Sequence, residues 1–267
     1  NEYTLSTGFD VSTASFVDSF DVSDQEIYPS AVQFNTDGTK MFVTGTQGDD
    51  VNEYTLSTGF DVSTASFVDS FDISGQQQYP HAVQFNNDGT KMFVTGSGSG
   101  VGEDVKDAVN EYTLSTGFDV STASFVDSFD YSSQEYNARA LAFNNDGTKM
   151  FVVGTGSDAV NEYTLSTGFD VSTASFVDSY DLNDGDPDGL AFNADGTKMF
   201  VTDLDAGGND DDVSEYTLST GFDVSTASFV GSLDVSSQDE GPSEVQFNTD
   251  GTKMFVLGYM NDNVYEY

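Results

Sequence analysis

The sequence predicts an all-β fold made of five copies of one unit. A stretch of fourteen residues that begins at Thr4 recurs unaltered from Thr55, Thr113, Thr164 and Thr217. A Glu-Tyr pair recurs at spacings of 51, 58, 51, 53 and 51 residues, which defines five periods with a half-repeat at each end; its copies begin at Glu2, Glu53, Glu111, Glu162, Glu215 and Glu266. Regular repeats of this length indicate a repeat architecture. We therefore expect one domain over residues 1–267, with half-repeats at 1–23 and 236–267 and full repeats at about 24–74, 75–132, 133–183 and 184–235.

Each period contains four segments with the character of β-strands, as residues 31–73 illustrate. Residues 31–35 alternate between apolar and polar side chains, and residues 36–39, Thr-Asp-Gly-Thr, predict a tight turn of the Asp-Gly kind. Residues 40–44 centre on a continuous apolar run, which suits a strand covered on both faces. Residues 51–57 alternate again and lead into a long Ser/Thr/Gly connection. Residues 67–73 predict the fourth strand, although Asp69 interrupts the apolar side of its alternation.

Four strands in a period of about fifty residues are typical of the blades of a β-propeller. Residues 187–201 read Pro-Asp-Gly-Leu-Ala-Phe-Asn-Ala-Asp-Gly-Thr-Lys-Met-Phe-Val, and all five repeats follow this pattern closely. The pattern resembles the blades of the YVTN, NHL and gluconolactonase-like propeller superfamily. The resemblance implies a five-bladed propeller whose first strand is innermost and whose fourth is outermost. It implies no single activity, because that superfamily contains enzymes, receptors and scaffolds. A solenoid is the alternative fold.

A propeller leaves open strand edges unless strands from both ends of the chain complete its last blade. The N-terminal half-repeat offers a third strand at 2–5 and a fourth at 16–22, while the C-terminal half-repeat offers a first at 244–248 and a second at 253–257. Residues 264–267 are a further copy of the third strand. We therefore expect either that this copy displaces residues 1–6 or that one copy stays outside the ring, where it would be able to pair with another protomer.

The two faces of the predicted disc differ in how much the five copies vary. We name each connection by the two strands of a blade that it joins. One face, the uniform face, consists of the one-to-two turns (35–40 and its copies) and the three-to-four loops (6–15 and its copies), which hardly vary. The other face, the variable face, consists of the two-to-three loops and of the four-to-one links that join one blade to the next. These links are residues 24–30, 75–81, 133–139, 184–188 and 237–243. Loops on a rigid scaffold commonly carry function, so the variable face is the predicted binding face; free drift of surface loops is the alternative. Its candidate ligand-binding residues are Tyr28, Tyr79, His81, Tyr136, Arg139, Asp186, Asp188, Glu240, Glu244 and Tyr259.

Tyrosines among Gln, Asn and Asp suit contact with a sugar or a protein. We therefore predict a non-enzymatic module that binds a glycan or a protein, as one unit of a surface or fibre assembly. For Tyr28 and Tyr79 the proline that follows at a fixed position favours the competing interpretation that their rings wedge between blades as core.

Charge is the strongest compositional feature, because 46 acidic residues against seven Lys and Arg give a formal net charge of −39. Nucleic acid and anionic membranes need clustered Lys and Arg, so neither is an expected partner, and no membrane insertion is expected. A saline setting, extracellular or on a cell or virion surface, fits such a charge. Five lysines, Lys40, Lys91, Lys149, Lys198 and Lys253, lie beside the uniform turns. Such a lysine ring would favour face-to-face stacking of discs, unless the lysines hold the turn carboxylates.

Calcium is the one cofactor that the sequence suggests. The loop at 203–212 carries Asp203, Asp205, Asn209, Asp210 and Asp211, which are ligands suited to a hard cation, although a solvated acidic loop has the same composition. The alternative function is a metal-dependent hydrolase or lactonase with a cation held on the axis by carboxylates. With one histidine and no cysteine, the chain cannot build a His-rich metal site or a thiol nucleophile. We therefore expect no catalytic residues.

Overall fold

The structure, a computed structural model, describes residues 1–97, 107–182, 186–203, 211–237, 241–258 and 263–265. These residues form five antiparallel sheets arranged as the blades of a propeller, which confirms the predicted fold class. The first strands of neighbouring blades contact one another around the axis, so they are the innermost strands. In this part of the chain no helix has the length and apolar character needed to cross a bilayer.

The strands follow one another in the order that the repeat predicts. The chain begins with two strands of the fifth blade, β1 (Glu2–Leu5) and β2 (Ala14–Asp21). Blade 1 contains β3 (Pro29–Phe34), β4 (Lys40–Gly45), β5 (Asp50–Leu56) and β6 (Ala65–Asp72). Blade 2 contains β7 (Pro80–Phe85), β8 (Lys91–Gly96), β9 (Ala108–Leu114) and β10 (Ala123–Asp130). Blade 3 contains β11 (Ala138–Phe143), β12 (Lys149–Gly154), β13 (Ala159–Leu165) and β14 (Ala174–Asp181). Blade 4 contains β15 (Pro187–Phe192), β16 (Lys198–Asp203), β17 (Asp212–Leu218) and β18 (Ala227–Asp234). Blade 5 is completed by β19 (Pro242–Phe247), β20 (Lys253–Gly258) and β21 (Asn263–Tyr265). A one-turn 3-10 helix precedes each fourth strand, at Val11–Thr13, Val62–Thr64, Val120–Thr122, Val171–Thr173 and Val224–Thr226.

Both copies of the third strand lie inside the fifth blade. β21 pairs with Val256 and Leu257 of β20, and β1 continues along the same strand at residues 253–255. The two segments have three and four residues, and together they occupy the position that the seven-residue β5 fills in blade 1. The expectation that one copy excludes the other is therefore wrong, because both copies pair with β20 within one sheet.

A β-bulge in each fourth strand explains its interrupted alternation. In blade 1, Tyr54 pairs with Phe67 and Glu53 pairs with Asp69, so Val68 is an extra residue. The bulge moves the rest of the strand by one position relative to its partner. Phe67 and Val68 are 43% and 50% exposed at the rim of the disc, and the other four blades expose the same pair.

An ion pair between a partly exposed lysine and a buried glutamate joins each blade to the next, as blade 3 illustrates. Lys149 Nζ lies 2.6 Å from Glu162 Oε1 and donates a 2.5 Å hydrogen bond to the carbonyl of Phe222 in blade 4. Glu162 Oε2 accepts the amide of Val224, which begins the 3-10 turn of blade 4. Equivalent Lys–Glu pairs, each with a lysine bond to the next blade's loop, are Lys40–Glu53, Lys91–Glu111, Lys198–Glu215 and Lys253–Glu2. We call this arrangement the interblade clasp, and the Lys253–Glu2 clasp also ties β1 to β20.

The clasp corrects the expectation about the lysine ring. The lysines do not hold the turn carboxylates, because a turn acid such as Asp146 accepts instead from the backbone and side chain of Thr148. They also do not form a ring of free positive charge, because each of the five is paired with a buried glutamate. Stacking of discs stays a prediction.

The phenylalanine whose carbonyl binds the clasp lysine also fills the space between two blades. Phe169 has a positive φ of 57°, and its ring contacts Phe93 of blade 2 and Phe143 of blade 3, with centroids 6.1 and 5.5 Å away. Gly147 in the adjacent turn also has a positive φ, of 68°, and a Cβ there would lie 2.3 Å from the Phe169 ring. The uniform turn and the uniform loop are therefore fitted to each other.

Replacing Lys149 by Met is expected to lower the free energy of unfolding by about 3 kcal/mol, because the buried Glu162 side chain loses its cationic partner. The double variant Lys149→Met/Glu162→Gln should recover part of that loss, since the amide oxygen can still accept the amide of Val224. Urea denaturation of both variants measures the difference. A double variant no more stable than the single one would contradict a charge-based clasp.

Replacing Gly147 by Ala is expected to cost about 2 kcal/mol of stability, because alanine is strained at positive φ and its Cβ displaces the Phe169 ring. Gly75→Ala is the matched control, since a Cβ at Gly75 would meet no atom within 4 Å. Thermal unfolding of the two variants provides the comparison. Equal melting temperatures would argue against the fit of turn and loop.

Candidate functional site

A pocket opens on the propeller axis at the variable face. It has a volume of about 300 Å³, and five of its lining residues occupy the same position in five different blades. These residues, the second in each innermost strand, are Ser30, His81, Arg139, Asp188 and Ser243. Tyr28, Pro29 and Thr46 complete the lining. We call this cavity the axial pocket.

A second β-bulge explains why one residue from each blade faces the pocket. In blade 1, Pro29 pairs with Gly45 and Ala31 pairs with Thr44, so Ser30 between them has no partner in the ladder. The same register shift occurs at the equivalent residue of the other four blades. A bulged residue is free to point away from the sheet. The sequence supplies a different polar residue at this point in almost every blade.

The polar groups of the pocket are only partly bonded to one another. His81 is 8% exposed, and its Nε2 lies 3.2 Å from the hydroxyl of Ser97. Arg139 Nε lies 3.5 Å from Asp188 Oδ1, yet this buried nitrogen has no hydrogen-bond partner. Ser30 Oγ donates a 2.8 Å bond to the carbonyl of Pro80, which leaves the lone pairs of the hydroxyl available.

Burial sets the protonation states around the pocket. It lowers the pKa of His81 to about 3, with a further contribution from Arg139, so the ring is neutral at physiological pH. Burial also raises the pKa of Asp188 to about 6, although the Arg139 guanidinium opposes the rise. Glu244, the next residue after Ser243, stands where the other blades have Ala or Gly, and burial raises its pKa well above the usual range. Its Oε1 accepts the amide of Val245 at 3.0 Å.

The structure brings four of the predicted binding residues together in the pocket lining, namely Tyr28, His81, Arg139 and Asp188. Glu244 is buried behind the lining, and Asp186 is partly exposed just before β15. The predicted residues Glu240 and Tyr259 lie outside the described residues. The pattern of variation did not single out Ser30 and Ser243, although both follow a proline, as the bulged residues of blades 2 and 4 also do.

The expectation that Tyr28 and Tyr79 are core wedges is wrong. Their side chains are 44% and 41% exposed, and Tyr136 is 66% exposed. The buried residue of the link is instead the third before the strand. Glu26 accepts the amides of Tyr28 and Gly48, and Glu135 likewise bonds its link to the two-to-three loop. These acids hold the backbone of the link in place and leave the tyrosines at the surface.

The predicted calcium loop is described only at its two ends. Asp203 and Asp211 are buried, whereas Asp205, Asn209 and Asp210 lie outside the described residues. Within the described residues, no group of three or more His, Cys, Asp or Glu is placed to hold a metal ion. Calcium binding at this loop stays a prediction.

Comparisons with known proteins place the chain by fold alone. No protein-family model and no curated protein matches the sequence. A functionally unknown protein from Desulfotomaculum acetoxidans has a similar structure (TM-score 0.51, 13% identity, 86% of this chain and 62% of that one). A protein from Bacteroides uniformis described as a "putative 6-phosphogluconolactonase" is similar as well (TM-score 0.53, 13% identity, 86% and 63%). A chain of a mitotic checkpoint complex gives 0.55 at 11% identity, with 90% and 74% covered. The chain is thus a five-bladed β-propeller that spans under two thirds of the length of the first two of these proteins.

The raised pKa of Asp188 predicts a specific dependence of stability on pH. Between pH 4 and 6 the folded state binds more protons at Asp188 than the unfolded state, so this group destabilises the fold as pH rises through that window. Asp188→Asn should therefore become more stable relative to the native protein as pH rises from 4 to 7, by up to about 3 kcal/mol. Urea unfolding at several pH values measures this difference, with the exposed Asp127→Asn as control. A stability difference that does not change with pH would show that Asp188 titrates normally.

Proposed function

We propose that this propeller is a non-enzymatic binding module, acting in a saline extracellular setting, whose variable face recognises a glycan through the axial pocket. The observation that carries the proposal is the pocket itself, since its lining comes from one bulged residue of each blade and differs between blades in charge and hydrogen-bonding character. Ligand sites are concave and combine apolar surface with a few convergent polar groups. The pocket offers hydroxyl, imidazole, guanidinium and carboxylate groups beside the ring of Tyr28.

The geometry favours a sugar over a protein as the primary ligand. At about 300 Å³ the pocket is at the small end of ligand sites, which suits one sugar ring and not a broad protein interface. Tyr28 is 44% exposed at the pocket, and aromatic rings provide flat apolar surface on which a sugar can pack. Tyr79 and Tyr136 extend the exposed aromatic surface to the links of blades 2 and 3.

A lactonase-like activity is the second candidate. It is favoured by the presence of His81, Arg139 and Asp188 in one cavity of a fold shared with the Bacteroides uniformis protein. At 13% identity that similarity concerns the fold and carries no residue roles. Hydrolysis of 6-phosphogluconolactone, followed by base titration, separates the candidates. The binding proposal expects no rate above the uncatalysed one, and a rate abolished in Asp188→Asn would establish the enzyme instead.

Screening the protein on a glycan array should identify ligands, and Tyr28→Ala should weaken the strongest of them about tenfold through loss of ring packing. Tyr28→Phe keeps the ring and should bind nearly as well as the native protein. Phe67→Ala is the matched control, because Phe67 is 43% exposed but lies on the rim, far from the pocket. Equal loss of affinity in the Tyr28→Ala and Phe67→Ala variants, or no glycan bound at all, would overturn the proposal.

A further inference from the structure

Arg139 differs from every other described basic side chain that forms an ion pair. Four of the clasp lysines lie 2.6 or 2.7 Å from a glutamate oxygen, and Lys253 is at least as close to Glu2. Arg139 Nε, in contrast, is 3.5 Å from Asp188, and this nitrogen is buried without a hydrogen bond. The guanidinium therefore lines the axial pocket with a looser hold on its acidic partner than any clasp lysine has.

The chemistry of this guanidinium points to a carboxylate as its ligand. A guanidinium presents its N–H groups in a planar fork that matches the two oxygens of a carboxylate. A dianion such as a phosphate monoester would lie close to Asp188 and Glu244, with one cation to balance it among the described lining residues. A carboxylate, with a single negative charge, is repelled about half as strongly by these acidic side chains. The rest of the lining, which includes the hydroxyls of Ser30 and Ser243, suits the hydroxyl groups of a sugar.

We propose that the axial pocket binds the carboxylate of an acidic sugar, a uronic acid residue, on Arg139, and that this carboxylate replaces Asp188 as the partner of the guanidinium. The inference rests on the proposed glycan-binding function and narrows it to one ligand class. Arg139 provides the charge and the fork, while Asp188 is its loosely held partner in the free protein.

Binding is coupled to the uptake of one proton. When the ligand carboxylate reaches Arg139, Asp188 is left beside a second anion, and it takes a proton from solvent and donates a hydrogen bond to the ligand. The groups around Asp188 do not supply a competing positive charge, since His81 is neutral and Asp186 and Glu244 are acids. Burial has already raised the pKa of Asp188 to about 6, so protonation near neutral pH requires little free energy. Affinity for the acidic sugar should therefore fall as pH rises above about 6.

Calorimetric titration with matched pairs of sugars tests this inference. The pairs are methyl glucuronide with methyl glucoside, galacturonate with galactose, and mannuronate with mannose, with glucose 6-phosphate as the dianion. At pH 6 at least one uronate should bind at least tenfold more tightly than its neutral partner and than the phosphate. Its affinity should fall at least tenfold between pH 6 and pH 8, with proton uptake visible in buffers of different ionisation enthalpy.

Three variants locate the effect. Arg139→Gln should abolish the preference for the uronate, and Arg139→Lys, which keeps the charge without the fork, should reduce it about tenfold. Asp188→Asn should bind the uronate with no dependence on pH, whereas Asp127→Asn on β10 removes an equal charge outside the pocket and should change nothing. Melting temperatures identify any variant that fails to fold, and the remaining two variants then decide.

The possible failures are distinguishable. Equal binding of uronates and neutral sugars, or tighter binding of the phosphate, would overturn the inference and leave glycan binding in place. Uronate binding that is independent of pH would overturn the exchange of partners at Arg139. If the glycan array also gives no ligand, both the inference and the proposed function fail.

Discussion

The interblade clasp is the interaction on which the rest of this structure depends. A lysine on the second strand and a glutamate on the third of each blade together hold the loop of the next blade, and the last pair, Lys253–Glu2, joins the two ends of the chain. The glutamates are almost fully buried, so each needs its lysine. Four of them also accept a backbone amide from the next blade's loop, namely Glu2, Glu53, Glu111 and Glu162. The three-to-four loop must also place its phenylalanine, such as Phe169, against the glycine of the one-to-two turn, such as Gly147. These linked requirements explain why the turns and loops of the uniform face hardly vary among five copies: a change in one blade would misplace a group that its neighbour needs.

The clasp also organises the charge of the molecule. Of seven basic residues, five are engaged in clasps, while 46 acidic residues give the chain its net charge of −39. Such a surface needs salt to relieve its self-repulsion. Against that background a guanidinium on the axis, bonded only loosely to Asp188, is an electrostatic exception. Its cost in a buried site is reduced by a histidine held neutral and by the charge of the adjacent Asp188 carboxylate, whose pKa the guanidinium lowers against the effect of burial.

The number of blades and the identity of each strand could be predicted from the sequence, because the repeat is nearly perfect and strand alternation is a local property. The composite third strand could not be predicted, since it depends on two short segments, β1 and β21, meeting end to end on β20. The bulges were equally hidden. An extra residue in one strand leaves no mark in composition. Only the interrupted alternation at Asp69 indicated the bulge in the fourth strand. The inner bulge decides which side chain reaches the axis, so Ser30 and Ser243 did not stand out in the sequence. The exposure of Tyr28 was also not predicted, because the sequence did not indicate that Glu26 is the buried residue of the link.

The inner bulge separates the scaffold from the site. Changing a paired residue of an inner strand alters the packing of two blades, because both faces of each sheet contribute to the core. The bulged residue has no partner in the ladder, so it can be serine, histidine, arginine or aspartate without a change of register. Five such positions meet on the axis, and their identities define the chemistry of one pocket. Glu244 marks the limit of this freedom, since it occupies a paired position that holds Ala or Gly in the other blades and is accommodated there by neighbouring amides and a raised pKa. The variable face can thus acquire a new ligand through a few substitutions while the clasps keep the ring closed.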